Sequence, residues 1–568
     1  MEEEIKNIEH LIEQGKYLQA RAMVQDVTGL DSNLRLQQLY ALATSKSGMP
    51  GLAQEFLEKT FTQHPNDAET AGILAGIYKL LFKQTENSDF AIKSRDTYLA
   101  NFTSTGSYYT GINAATMSVI AGQARKGREV AQLVIDKLGD TADFWEVATL
   151  GEAHLLTKSH DKAVDFYLKA RTLAGTDWGK VSSVYEQLWL LKHYMNVPAE
   201  ILKVFHPPTV MAFVGHMVDH PDRAEPRFPA SIQDAMKEGI RSAIKSQKGA
   251  IGYCSLACGG DILFAEAMEE EGGELNIFIP FAKDDFIRES VSFAGQEWVN
   301  RFERLITNRN VRYITHETYE DHTDLFTMQS KVVLGSTLYR STMMRSDSYL
   351  ITVMSDFDLS RLEGGTRDNI SLWPYPDKVI NVSPDRLAGN TGRNSTVQGA
   401  AQEVVMETDR PALYTLVISL STDNQEAITK LFDITTAVCG EVIVAPLVSC
   451  IAGDKMVTGF TGLRPLYDFV QQIRKAPKIN QAQLQLTING GPIRVSDFHE
   501  KDTVQYKVME GPHFDKAIFG HQYGVPGSCI ALSPIAYELA LYKIDIELVS
   551  RASMEDGEMV DVYKLTEK

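Results

Sequence analysis

Cysteine and tryptophan are scarce in this chain, with five of each among 568 residues, and long apolar runs are missing. Cys254, Cys258, Cys439, Cys450 and Cys529 are too few and too scattered to build a disulfide framework in a chain of this size. No apolar stretch approaches the roughly 20 residues that cross a bilayer. The opening Met1-Glu2-Glu3-Glu4 is acidic, where a secretory leader is basic and then apolar. Positive charge is short as well: 56 Lys and Arg stand against 74 Asp and Glu, a formal net charge of -18. That deficit removes the footprint on which nonspecific binding to nucleic acid or to an anionic membrane rests. What is present is ordinary globular composition, 44% hydrophobic and 23% charged, unlike a disordered or collagen-like chain. The expectation is a soluble cytoplasmic protein of about three to four domains, with neither nucleic acid nor membrane as partner.

From Ile5 to about Asn196, apolar residues recur at three- and four-residue spacing, broken by turns such as Gly48-Met49-Pro50-Gly51 and His64-Pro65-Asn66-Asp67. Two windows fit a 34-residue helix-pair template. In one, Tyr40 and Ala41 precede Ala53 and Leu57, and Pro65 ends the unit. In the other, Leu150, Gly151 and His154 precede Ala163, Tyr167 and Ala170. Small residues at Ala41, Gly151, Ala53 and Ala163 let paired helices approach. Ser88–Thr103 and Tyr108–Gly127 read as helical but degenerate. The pattern resembles the tetratricopeptide repeat, which implies an α-solenoid over 1–200 whose groove docks a protein partner. The plainer alternative is an irregular α-bundle.

Beyond Pro198 short apolar strands alternate with helices. Val210–Gly215, Ala250–Cys254, Leu275–Pro280, Val311–Ile314 and Tyr349–Met354 read as strands. Ser231–Ser246, Asp261–Glu271, Glu297–Leu305 and Asp324–Ser341 read as helices between them. That alternation predicts a Rossmann-like parallel α/β sheet over 205–385. Pro384–Asp409 is rich in turn formers and lacks periodicity, giving a linker at 386–409. A second α/β domain follows over 410–568, opening with strand Ala412–Leu420 and helix Asn424–Val438. A hairpin turns at Ala452-Gly453-Asp454-Lys455, between Glu441–Ile451 and Met456–Phe460. Helices are expected at Leu463–Lys475, His513–His521 and Pro534–Leu541, and strands at Gln483–Asn489, Ser528–Leu532, Ile546–Ser550 and Val560–Leu565.

Three glycine-bearing turns follow strands of the central domain. The first holds Gly215 and His216, the second Ser255, Gly259, Gly260 and Asp261, the third Gly364, Gly365 and Thr366. Ligands of open parallel sheets sit at the carboxyl ends of strands. Glycines there admit a phosphate to backbone amides, and a helix amino terminus adds a favourable dipole. These nine residues are therefore the candidate binding set for a nucleotide-derived ligand, with no obligatory cofactor. No Gly-Lys-Ser/Thr and no Gly-x-Gly-x-x-Gly follows, so Walker-type hydrolysis is not expected. The plain alternative is that the glycines only turn the chain. Cys254 and Cys258, without a second ligand pair, read as buried small residues. His216 and His220 flank Asp219 in what reads as a solvated loop. Lys283, Asp284, Asp285 and Arg288 either contact a ligand at a strand end or form a solvated helix start.

Gly364-Gly365-Thr366, with the acid Asp368, resembles a shortened Gly-Gly-x-Gly-Thr-x-x-Glu motif of the SLOG superfamily of nucleotide-processing hydrolases and nucleotide sensors. Asp replaces Glu, and the spacing is one residue short. Val210–Trp373 also resembles a domain that bacteria place after tetratricopeptide repeats, in relatives of the TRAFs-binding regulatory region of apoptosis-signalling MAP3 kinases. Gly252–Val291 carries most of that likeness. The resemblance implies ligand sensing, and it makes Asp368 the one weak catalytic candidate.

In the last domain, Leu416-Val417-Ile418-Ser419, Gly453–Phe460, Leu486–Ile493 and Gly511–Ala517 resemble, in order and separation, a class III adenylate/guanylate cyclase domain. The resemblance implies a ferredoxin-like α/β fold and head-to-tail pairing. Cyclases of this class hold two metal ions on two carboxylates. Asp454 stands where one belongs and is a weak metal candidate, but Ser419 stands at the other. Asp515 and Phe519 stand where the family has an asparagine and an arginine that stabilise developing phosphate charge. Cyclase activity is therefore expected to be absent, leaving a module that dimerises with itself or with an intact cyclase. Together these readings point to a cytoplasmic signalling or stress-response protein. The alternatives are a ligand-free scaffold and a hydrolase of nucleotide N-glycosidic bonds that uses Asp368.

Overall fold

The computed structural model describes residues 2–223, 226–307, 310–320, 323–355, 370–387, 411–421, 431, 435, 438, 445–476, 480–500, 503–554 and 557–566. The chain forms two compact units, Met1–Pro207 with Val549–Ala552, and Pro208–Leu548 with Ser553–Lys568.

Twelve α-helices lie between Glu2 and Val204. Helix starts repeat at a 34-residue interval, from Asn33 to Asp67 and again from Asp143 to Asp177. Each of those four side chains accepts a hydrogen bond from a first-turn backbone N–H, satisfying a donor that the helix leaves open. At Gly151 an added Cβ would lie 2.8 Å from the Tyr167 ring. Glycine there lets Phe144–Leu156 and His160–Ala174 close around a tyrosine that is 1% exposed. The windows that departed from the template form full members of the array, Ser88–Thr105 and Tyr108–Ile120. Thr110 to Ile120 is buried throughout, so no polar face marks it in the sequence. Side chains also link helices far apart in the array. Lys79 Nζ donates to Asn113 Oδ1 at 2.8 Å and to Gln187 Oε1 at 3.2 Å. Gln187 in turn donates to Glu152 Oε1 at 2.8 Å, and the Phe82 and Tyr194 rings lie 6.1 Å apart.

The second unit carries two main sheets. The first runs β4-β3-β2-β1-β5-β6, all parallel: β1 (Thr209–Gly215), β2 (Gly249–Cys254), β3 (Glu274–Ile279), β4 (Val311–Tyr313), β5 (Ser348–Val353) and β6 (Val379–Asn381). Strand order reverses direction at β1, whose neighbours are β2 and β5, so a topological switch point lies there. Near-continuous apolar burial along β1 is what helices on both faces impose. The second sheet is mixed and seven-stranded, in the order β14-β15-β13-β10-β7-β9-β8. Its strands are β7 (Ala412–Leu420), β8 (Val448–Ala452), β9 (Lys455–Phe460), β10 (Leu484–Pro492), β13 (Cys529–Leu532), β14 (Asp545–Ser553) and β15 (Met559–Thr566). A separate antiparallel ribbon joins β11 (Arg494–Glu500) to β12 (Thr503–Glu510). Pro534–Leu541, expected as an α-helix, is a 3₁₀ segment at Ile535–Tyr542.

The two sheets of this unit meet along the long helix Thr323–Met344. An added Cβ at Gly335 would lie 2.2 Å from the Tyr537 carbonyl oxygen, so glycine sets how closely the helix meets the 3₁₀ segment. Arg312 on β4 donates to the Tyr537 hydroxyl and lies 3.8 Å from Asp561. Glu538, fully buried, accepts from Tyr414 at 2.6 Å and Tyr542 at 3.0 Å and faces Lys331 Nζ at 3.7 Å.

Candidate functional site

A cavity of about 350 Å³ opens over the carboxyl ends of β1 and β2. Gly215, Ser255 and Asp261 line it, so three of the nine candidate residues converge. Gly364, Gly365 and Thr366, with Asp368, lie outside the described residues. His216, Gly259 and Gly260 stand behind the wall rather than on it. The His216 N–H donates to Val353 O at 2.9 Å, and the Gly260 N–H donates to His216 O at 3.1 Å. Val218 N–H donates to Cys258 O at 3.1 Å, and Cys258 N–H to Ser290 O at 2.9 Å. Those amides already serve protein carbonyls. A Cβ at Gly259, where φ is 108°, would lie 2.5 Å from Val218 N, and one at Gly260 would lie 2.6 Å from the Phe213 ring. Close packing between the first and second turns thus explains both glycines.

Asp261 sits in the first turn of helix Gly260–Glu270. Burial pushes its pKa up to about 7, since desolvation disfavours the charged form more than the neighbouring backbone N–H groups of Ser255 and Asp261 favour it. Cys254 and Cys258 are buried thiols whose pKa rises, Cys258 to about 12, first through burial and then through the Asp261 charge. That keeps them protonated and unreactive.

Sequence reading missed the opposite wall. Helix Lys283–Ser290 brings Phe286, Glu289 and Ser290, and helix Thr323–Met344 brings Phe326, Gln329 and Ser330. Between the two helices Tyr319 closes the side, its N–H held by Asp285 Oδ2 at 2.8 Å and its ring 4.4 Å from Phe281. Asp285 is thus bound into the loop, and that backbone N–H lowers its pKa first. Asp219 is also structural, accepting from the N–H groups of Arg227 and Phe228 at 2.9 Å. The available signal for the missed wall was polar residues at buried helical positions, above all Gln329, which is 5% exposed.

In the mixed sheet, Ser419 lies near the end of β7 with its hydroxyl 2.7 Å from His521 Nε2. Thr487 Oγ1 lies 2.8 Å from Nδ1 of the same ring. His521 is 2% exposed, and burial, assisted by the Lys455 charge, lowers its pKa to about 4. Asp454, in the β8–β9 turn, is paired with Lys455, which lowers its pKa. Among the described residues here, Asp454 is the carboxylate, held by an ammonium beside a neutral imidazole and two hydroxyls, and no group of three or more potential metal ligands forms. Asp515 and Phe519 line a second cavity of about 430 Å³, shared with Thr315 and Glu317 from the turn after β4. Lys516 on the same helix donates to Glu558 at 2.9 and 3.1 Å.

Residues 16–118 match the Tetratricopeptide Repeats-Sensor family, TPR-S. No curated protein matches the chain. Among solved structures, similarity extends to the catalytic core of a rhodopsin-guanylyl cyclase with converted specificity in complex with ATPalphaS. Identity is 10%, 28% of this chain and 96% of that one are covered, and the TM-score is 0.24. The adenylyl cyclase CyaB from P. aeruginosa is similar at 12% identity, with 29% and 97% covered and a TM-score of 0.22. A thermophilic TPR protein of Thermus thermophilus is similar at 16% identity, with 33% and 98% covered and a TM-score of 0.28. The chain carries a helical-repeat region, within which residues 16–118 match TPR-S, a six-stranded parallel sheet and a seven-stranded mixed sheet. Among the described residues, no helix is long and apolar enough to cross a membrane.

Proposed function

We propose that this protein is a signalling sensor whose central cavity holds the nucleoside part of a nucleotide-derived ligand. Its helical repeats dock a protein partner, and its cyclase-like module acts without catalysis. The carrying observation is the cavity itself, with aromatic walls of Phe286, Tyr319 and Phe326 and polar groups at Ser255, Asp261, Ser290 and Gln329. Its place at the strand ends of an open parallel sheet supports the same reading, as does the SLOG resemblance around Gly364-Gly365-Thr366. With the His216, Val218, Cys258 and Gly260 amides already serving protein carbonyls, this reading puts the phosphate groups of such a ligand outside the cavity.

For docking, exposed Leu133, Trp145 and Leu168 offer apolar side chains on the repeats. Pairing with a second copy is favoured at the sheet edge, where β8 exposes Ile451 and the preceding Leu447. The face of Asp515 and Phe519 already looks onto the central module.

Calorimetric titration of the whole chain with nucleosides, nucleotides, cyclic nucleotides and NAD tests the reading. A binder that also raises the melting temperature is expected, since a ligand of the native state must do so. If no member of that panel binds, the protein is a scaffold and the sensor reading falls. Incubation with ATP or GTP and divalent metal is expected to yield no cyclic nucleotide, and its formation would overturn the non-catalytic assignment.

A further inference from the structure

Resting on that reading of the central cavity, we infer that Asp261 is its specificity-determining acceptor. It selects a ligand that presents a hydrogen-bond donor, a ribose hydroxyl or a base N–H, and turns away a phosphoryl group. Two observations carry this independently. The first is charge: Asp261 and Glu289 line the cavity, and no lysine, arginine or histidine does among the described residues. An anion placed there would meet carboxylates, with no cation on the wall among the described residues to offset them.

The second is the polar lining. Gln329 is 5% exposed, Ser255 8% and Ser290 2%, and all three stand on the wall of the cavity beside Asp261. A few polar groups converging in a largely aromatic cavity fix the orientation of a ligand that offers them hydrogen bonds. Asp261, a carboxyl with two acceptor oxygens on the cavity wall, can take a ligand donor.

The protonation of Asp261 makes the inference measurable. With its pKa about 7, the group is largely neutral at pH 6 and largely ionised at pH 8. A donor ligand favours the ionised carboxylate, so binding strengthens as pH rises; an anionic group favours the neutral form and reverses the slope. Other titratable groups face Asp261 from the surrounding elements. Cys254 ends β2 and Cys258 lies in the turn, both thiols held protonated by burial. Glu289 and Tyr319 belong to the opposite wall, and His216 lies behind Gly260.

The experiment titrates the full chain with adenosine, guanosine, cytidine and uridine, and with their 5′-monophosphates, at pH 6 and pH 8. A nucleoside is expected to bind about tenfold more tightly at pH 8, following the ionised share of a group with that pKa. Asp261→Asn should abolish the pH slope, and Gln329→Leu should weaken binding about tenfold at both pH values, in line with leaving a buried donor or acceptor unpaired. If Asp261→Asn does not fold, the wild-type slope and Gln329→Leu still decide. Affinity that is flat or falls with pH, or an Asp261→Asn protein that binds like wild type, overturns the inference and leaves the sensor reading standing. Absence of binding by every nucleoside and nucleotide at both pH values removes the sensor reading, and the inference with it.

Discussion

His521 and Asp261 are buried groups whose pKa values move in opposite directions, one down to about 4 and the other up to about 7. For His521 the unfolded chain, with a pKa of about 6.5, takes the proton first as pH falls. Its contribution to stability is therefore complete above about pH 6.5 and drains away as pH drops toward 4. Asp261 runs the other way: the folded state holds its proton longer, so its contribution declines as pH climbs from about 4 to 7. Because the slopes oppose, only a variant comparison separates them. His521→Asn is expected to destabilise the protein at pH 7.5, and the gap from wild type should shrink by about 2 kcal/mol at pH 5. Urea midpoints at the two pH values measure this, and a pH-independent gap would refute the buried neutral imidazole. The sequence places a hydroxyl at Ser419, where the resemblance to cyclase domains implies a carboxylate. It did not show that the hydroxyl would meet His521, because the two are 102 residues apart and only the β7–β10 sheet and the helix behind it bring them together.

Helix Thr323–Met344 lines the cavity with Phe326, Gln329 and Ser330, and it meets the 3₁₀ segment Ile535–Tyr542 at Gly335. Intrinsic propensity favours alanine over glycine inside a helix by about 1 kcal/mol. Packing opposes it, since the new methyl would lie 2.2 Å from the Tyr537 carbonyl oxygen. Backbone cannot swing aside as a side chain can, and overpacking of this kind costs about 1–3 kcal/mol. Gly335→Ala is thus expected to lower stability by about 2 kcal/mol in denaturant unfolding, whereas a gain would mean the contact is soft. Helices and strands with a buried stripe were legible because burial leaves a period, as in Leu463–Lys475, where structure and sequence coincide. The ribbon β11–β12 was not legible: it stands outside both large sheets, and Arg494, Ser496, Asp497, His499 and Glu500 break any apolar alternation. β6, Val379–Asn381, has three residues and is too short for a period to register.

The two sheets of the second unit are joined through a buried ionic contact, Lys331 opposite Glu538, whose pKa rises through burial despite the ammonium and two tyrosine hydroxyls. Removing one partner leaves a carboxyl without its cation in a dry place, which typically costs about 3–5 kcal/mol when the remaining group stays charged. Since Glu538 can take a proton, Lys331→Met is expected to cost nearer about 3 kcal/mol and to lower one shared melting transition of this unit. Calorimetry that resolves the parallel sheet and the mixed sheet as separate transitions would contradict that coupling. The sequence by itself determined the helices and strands whose burial leaves a local period, and it put a hydroxyl at Ser419, because these rest on local pattern and on single side chains. Tertiary structure alone decided that the first two glycine turns pack on each other, that Gln329 and Ser290 share a cavity with Asp261, and that Lys79 links distant helices of the repeats. Each of those outcomes depends on atoms far apart in the chain sharing one volume, and no residue pattern along the chain records which distant neighbour will fill a given space.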